Sequence, residues 1–375
     1  MLLLTLAACS ADPAASPTAS GGNASGGNAS TEPTTEPTGL APRALNQRLI
    51  PAPSLEGNLL GDPAERDLWI YLPPQYFESE EPLPVAYYLP GFGQTTMNGI
   101  TMPADLDRVF ATLDPMIVVV VPGNTSTGGS FYVNSPANGD WETFVTEDVV
   151  HYIDANFRTI PSAESRGLMG ASMGGFGALN LGMRHPDVFS TVYASSPGLL
   201  NEGGVAEMHF FDSEEHIVEA LDVLDAASMV QGQDVVAALQ TPSYQFGLEL
   251  AYGLAFSPAA EPPYIAYPFA RADGGVVKDD AVWRAWDAGF GEWDLKVAEF
   301  RDNLSSLAIG IDCPSDDEFA WISDGCPYLD EQLTAAGIDH DYVVTTGGHE
   351  DLTGGRITEG MLPFMAEHLV RESVG

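Results

Sequence analysis

Three residues far apart in the chain have the types needed for a nucleophile, a base and an orienting acid. The nucleophile is Ser172, in Gly170-Ala171-Ser172-Met173-Gly174. A buried strand is expected at 167–171 and a helix from about 175 to 184. A G-x-S-x-G between strand and helix is the setting of a nucleophile elbow, whose turn strains the serine backbone. Small residues two before and two after relieve the clash. The helix N-terminus also turns partial positive charge toward the site, which favours an oxyanion. Serine is a weak nucleophile without a base, and the base needs an acid to hold it.

On a strand–helix scaffold of this kind the partners follow in the order serine, acid, histidine. Of seven histidines, His151, His185 and His216 fall in helical stretches or at helix ends. His209 lies in an irregular middle region, His340 just before the last strand, and His368 in the terminal helix. Only His349 sits in a loop after the last strand, in Thr346-Gly347-Gly348-His349-Glu350-Asp351. Loops at strand carboxyl ends are where open α/β sheets put their ligands. The acid follows the preceding strand, in Asp312-Cys313-Pro314-Ser315-Asp316-Asp317-Glu318-Phe319. Asp317 is the first choice and Asp316 the alternative. Two backbone donors complete an oxyanion hole: the N–H of Met173, and that of Phe92 in Leu89-Pro90-Gly91-Phe92-Gly93. The chemistry expected of this set is acyl transfer through a covalent serine ester.

The elements that must position these residues alternate between strand and helix, the pattern of an α/β sheet. Strands are expected at 67–72, 85–89, 117–121, 167–171, 191–195, 307–311 and 342–345. The run Ile117-Val118-Val119-Val120-Val121 is continuous and β-branched, as in a strand buried on both faces. Residues 141–157 carry helical spacing, with Phe144, Val145, Val149, Tyr152, Ile153 and Phe157 on one side. A closing helix is expected at 357–370. Residues 198–303 interrupt the rhythm, with helical stretches near 213–240 and 281–302, and are read as an insertion or lid within one catalytic domain spanning 41–375. Phe131, Tyr132 and Trp141 are candidates for the pocket wall, with core packing their commoner role.

These motifs resemble the esterase D branch of the α/β-hydrolases, which includes S-formylglutathione hydrolases, feruloyl and siderophore esterases and mycolyltransferases. The resemblance is carried by Gly170 to Leu179, by Arg184-His185-Pro186-Asp187, by Tyr71 to Tyr76, by Leu89 to Gly93, by Ile311 to Phe319 and by Gly348-His349. It runs over about 65–375 outside the insertion. It implies an α/β-hydrolase fold with a mostly parallel sheet, helices on both faces, and Asp317 at the position of the family's acid. It implies hydrolysis of a carboxylic ester, small or polymer-linked, with no metal or organic cofactor. It also permits acyl transfer to an acceptor other than water. The remaining reading, a catalytically inactive fold kept as a surface binding protein, is opposed by the intact set of Ser172, Asp317 and His349.

The bulk composition narrows the partners. The chain has 375 residues, 53 acidic and 14 basic, for a formal charge of -39. Such a surface repels the phosphate backbone, so no nucleic-acid partner is expected. The sequence does not fix an oligomeric state. Cys9 ends Leu6-Ala7-Ala8-Cys9 after a short apolar run, which resembles a bacterial lipobox. That run is too short to span a bilayer and reads as a signal segment at 1–9. Residues 10–40, rich in Ser, Thr, Gly, Asn and Pro, read as a disordered tether. Together they predict a lipid-anchored protein on the outer face of a bacterial-type membrane, or a secreted one. Cys313 and Cys326 then read as a disulfide. Two cysteines without a nearby histidine make a poor zinc site.

Overall fold

The computed structural model describes residues 37–42, 44–95, 101–240, 243–349 and 355–371. Cys9 and tether residues 10–36 lie outside them. Among the described residues eight strands form the main sheet: β1 Leu45–Pro51, β2 Glu65–Tyr71, β3 Val85–Leu89, β4 Ile117–Val120, β5 Arg166–Ala171, β6 Thr191–Ser195, β7 Ala308–Pro314 and β8 Asp341–Thr345. Their spatial order is β1-β2-β4-β3-β5-β6-β7-β8. β2 runs antiparallel to β1 and β4, and every other neighbouring pair is parallel. The expected strands all form, within a few residues of their expected ends. β1 is an addition.

Both faces of the sheet are covered, as parallel strands require. Side chains alternate between them: Tyr87, Val119, Leu168 and Val192 enter one core, while Tyr88, Val118, Met169 and Tyr193 enter the other. The smaller core is covered by α1, Pro103–Val109, and by the C-terminal helical stretch. That stretch begins as a π-turn at Ile357–Met361. The larger core receives α2, Val150–Asn156, and α3, Met173–Arg184. The helix expected at 141–157 forms as three consecutive pieces, with a π-turn at Phe144–Val149 before α2.

Residues 198–303 hold α4 Glu214–Ala227, α5 Gln233–Leu239, α6 Tyr244–Phe256, α7 Asp280–Phe290 and α8 Trp293–Glu299. They also hold a hairpin, Phe269–Ala272 with Gly275–Lys278, that the sequence reading did not anticipate. Side-chain oxygens start three of these helices: Ser213 for α4, Ser243 for α6 and Asp279 for α7. Lys296, one of only two lysines, closes the end of α7 by donating to the carbonyls of Ala288, Gly289 and Gly291 at 2.8, 2.8 and 2.6 Å. A buried polar knot ties the region together. Glu249 of α6 is fully buried and accepts from Tyr267 Oη at 2.7 Å, with His216 Nε2 of α4 also at 2.7 Å.

The closing elements are α9, Ala320–Ala336, and α10, Leu362–His368. The disulfide Cys313–Cys326 ties the end of β7 to α9. Among the described residues no helix is long and apolar enough to cross a membrane.

Candidate active site

Strand register decides which loops meet. Leu89 pairs with Gly170, Ala171 with Ser195, Ser195 with Asp312, and Pro314 with Thr345. The segments after β3, β5, β7 and β8 therefore leave the sheet along the same carboxyl edge. They carry Phe92, Ser172, Asp317 and His349 respectively.

Ser172 has φ 57° and ψ -120°. A side chain seldom adopts a positive φ, and holding one there costs on the order of 1–3 kcal/mol. The strain is accommodated by bonds on both sides of the turn. The Ser172 N–H donates to Ser195 O at 3.0 Å, and Ser172 O accepts from Phe176 N at 3.0 Å and Gly198 N at 3.1 Å. The flanking glycines are sterically required. A Cβ on Gly174 would overlap the Leu89 carbonyl, and one on Gly170 the Gly174 carbonyl. The helix starts at Met173, two residues earlier than its spacing suggested, so the serine is the residue before the first turn.

The imidazole of His349 meets Asp317 and not Asp316. His349 Nδ1 lies 2.8 Å from Asp317 Oδ2, and the Asp317 side chain is fully buried. Asp317 Oδ1 accepts from Phe319 N at 2.8 Å, which fixes the carboxylate's orientation. Asp316 is exposed and bonds to Ser315 Oγ at 3.0 Å. The imidazole is only 10% exposed, and Phe319 stands edge-on to it with ring centres 4.9 Å apart. Phe319 also lines a cavity with Ser172. Four of the other described histidines pair with carboxylates elsewhere: His185 with Glu142, His209 with Asp212, His216 with Glu249, and His340 with Asp330.

Among the described residues neither the Phe92 nor the Met173 N–H has a protein acceptor. Both flank Ser172, since Gly91 packs beside the Ser172 side chain. The Phe92 loop is braced by Tyr132, whose hydroxyl donates to Pro90 O at 3.0 Å. Phe131 and Tyr132 both take φ 55°, so two consecutive strained residues present one ring to the cavity and one hydroxyl to the loop.

The cavity beside Ser172 is narrow, about 10 Å³, and is lined by Phe92, Phe131, Met173, Tyr244, Leu248, Phe290, Phe319 and Trp321. Among the described residues no charged side chain lines it. Phe92 and Tyr244 also border a more open cleft whose walls include Asn124, Thr125, Ser126, Thr127 and Gln240. Of the three aromatics singled out from sequence, Phe131 reaches the cavity and Tyr132 braces the loop. Trp141 does neither: it packs on Phe144 under the Arg66 guanidinium, with its indole N–H on Asn138 O at 2.9 Å.

A further group went unread in the sequence. Asp312, fully buried at the end of β7, accepts from Ser195 Oγ at 2.6 Å and from Arg356 Nε at 3.2 Å. Its second oxygen meets Arg356 Nη2. Tyr193 also bonds it, and burial pushes that phenol's pKa up, keeping the hydroxyl neutral. On the other side of the histidine, the His349 N–H donates to Glu318 Oε2.

A protein-family model described as putative esterase matches residues 63–351. Esterase Rv1288 of Mycobacterium tuberculosis is 33% identical over 130 residues, 34% of this chain and 28% of that protein. The chain thus aligns with little more than a quarter of that relative's length. A ferulic acid esterase superposes with TM-score 0.56 at 20% identity, covering 87% of this chain and 98% of the other. An S-formylglutathione hydrolase from Agrobacterium tumefaciens superposes with TM-score 0.52 at 17% identity, covering 86% and 95%. At such identities these structures establish a shared fold, the α/β-hydrolase fold expected from the motifs.

Proposed function

This chain belongs to the esterase family, and we propose that it hydrolyses a carboxylic ester by covalent catalysis at Ser172. His349 takes the Ser172 hydroxyl proton on Nε2 as Oγ attacks the ester carbonyl. Asp317, accepting from Nδ1–H, holds the tautomer that leaves Nε2 basic and stabilises the imidazolium. The carbonyl oxygen becomes an oxyanion against the N–H groups of Phe92 and Met173, an interaction worth about 3–4 kcal/mol per donor. The imidazolium returns its proton to the departing alkoxide. Water then attacks the acyl-enzyme by the same route, and Ser172 is regenerated.

One observation carries this reading: a serine held at φ 57° between strand and helix, on the sheet edge where a buried carboxylate grips a histidine at 2.8 Å. The aromatic walls beside Ser172 favour an apolar, uncharged substrate group over a charged one. A fluorophosphonate probe tests it. Wild type should be labelled and Ser172→Ala should not, with ester hydrolysis lost in parallel. An unlabelled wild type that cleaves no ester would return the chain to the binding-protein reading.

The protein is further proposed to be exported and held at the extracellular face of a bacterial-type cell membrane through lipid on Cys9. The Cys313–Cys326 disulfide supports export, since such bonds persist in oxidising compartments. Incorporation of labelled palmitate by the expressing cell, lost in Cys9→Ser, is the expected result.

A further inference from the structure

We infer that the end of β7 and the turn after it clamp the histidine loop at three points, which makes Glu318 and Arg356 positioning residues for the reaction. The inference rests on the esterase reading above. Asp317 holds the imidazole, and the other two points hold the chain on either side of it.

The first of these is Glu318. Its carboxylate accepts the main-chain N–H of His349. It lies so close that a Cβ on Gly348 would overlap it, so the glycine before the histidine makes room for the acid. Glu318 directly follows Asp317. Adjacent residues therefore hold the backbone and the ring of the same histidine, which leaves the imidazole little freedom about either.

The second is the pair of Arg356 with Asp312. Arg356 lies seven positions beyond His349 and meets Asp312 through two of its nitrogens. Asp312 lies five positions before Asp317, among the last residues of β7. It also receives the Ser195 hydroxyl at 2.6 Å, while Ser195 O receives the Ser172 N–H at 3.0 Å. One buried carboxylate is thus joined to the nucleophile's segment, the acid's strand and the far end of the histidine loop. A planar guanidinium gripping a carboxylate at two points fixes distance and angle together, which a lysine cannot do. Neither Glu318 nor Arg356 need touch substrate. They act by keeping Nε2 on the line of Ser172 Oγ, and an error of about 1 Å there can cost roughly 100-fold.

The test compares variants per folded molecule, with folding followed by circular dichroism. Glu318 is exposed, so its variants should fold. Glu318→Ala should lower kcat roughly 10-fold with KM nearly unchanged, the signature of a contact that matters in the transition state. Glu318→Gln keeps an acceptor oxygen but no charge, and should stay within about threefold of wild type. Equal losses in Ala and Gln would mean that charge acts and not the hydrogen bond, overturning the clamp. So would an unchanged kcat in Glu318→Ala. Arg356→Ala should lose roughly 100-fold in kcat and regain part of it with millimolar methylguanidinium, whereas Arg356→Lys should recover little. A variant that melts earlier yet turns over normally would reduce Arg356 to a structural role. Wild type without fluorophosphonate labelling or esterase activity would sink the esterase reading itself, and the clamp with it.

Discussion

Replacing Asp317 by asparagine removes one charge and almost no volume, yet the geometry gives the amide no harmless orientation. Asp317 Oδ1 accepts from Phe319 N at 2.8 Å, and Oδ2 faces His349 Nδ1 at 2.8 Å. An asparagine has one acceptor and one donor to fill these places. With its oxygen on the Phe319 N–H, its NH2 faces the imidazole. Nδ1 must then be the unprotonated nitrogen, and the proton moves to Nε2, where a base is required. With the amide flipped, NH2 opposes the Phe319 N–H and strands both donors in a fully buried site. The first orientation loses the productive tautomer, and the second keeps it only by leaving two buried N–H donors opposed, so the first is favoured and the base is lost. The expected fall in kcat/KM is about 10⁴-fold, equivalent to about 5.4 kcal/mol at 1.36 kcal/mol per decade. Asp316→Asn is the internal control. That side chain is exposed and its bond is to Ser315, so its rate should stay within about twofold. The assay is initial-rate hydrolysis of a 4-nitrophenyl ester over a range of concentrations, with folding checked by circular dichroism. Asp317→Asn retaining more than about a tenth of wild-type kcat/KM would refute the tautomer argument, and loss confined to Asp316→Asn would move the acid by one residue.

Three other outcomes follow from the geometry. Gly174→Ala places a methyl against the Leu89 carbonyl, a main-chain group that cannot rotate away, so the variant should melt earlier and lose fluorophosphonate labelling; unchanged melting with full labelling would contradict the elbow. Cys313→Ser with Cys326→Ser opens a loop of sequence separation 13, which should cost about 3 kcal/mol of stability, read as a lower urea midpoint, and should lower kcat by loosening Asp317. The pair of His216 and Glu249 sets a pH dependence of stability. The hydrogen bond to Glu249 raises the His216 pKa, and burial raises that of Glu249. Both groups therefore bind protons more tightly folded than unfolded. The stability His216 contributes is fully present below its ordinary value of 6.5, that of Glu249 below 4.5, and each is lost as pH rises through the raised value. Urea midpoints should drop more between about pH 6 and 9 in wild type than in Glu249→Gln, and equal slopes would remove the pair from the explanation.

What could be read from the sequence, and what could not, divides by the range of the physics. The central strands announce themselves because a strand buried on both faces must be apolar throughout, and Ile117–Val120 and Val85–Leu89 are. The elbow is legible for a local reason too: its turn tolerates no Cβ at 170 or 174. His349 could be singled out from seven histidines because only it lies in the loop after the last strand, and Asp317 because its loop follows the strand before. Helix α6 was missed because it is buried nearly all round, from Phe246 through Ala255, and so has no polar face to produce a helical period. Trp141 could not be assigned outright to core or pocket wall, for the complementary reason. An aromatic near the site in sequence carries no mark of whether it faces a cavity or a core. The cavity walls come from the Phe92 loop, Phe131, α6, α7 and the start of α9, segments with no common pattern. Asp312 and Arg356 meet only because β7 and the C-terminal helical stretch pack against the same sheet end. Reaction type rests on sterics within a few residues, so a motif can carry it. Choice of substrate and precision of the base rest on contacts between distant segments, which a single sequence leaves unwritten until the chain is folded.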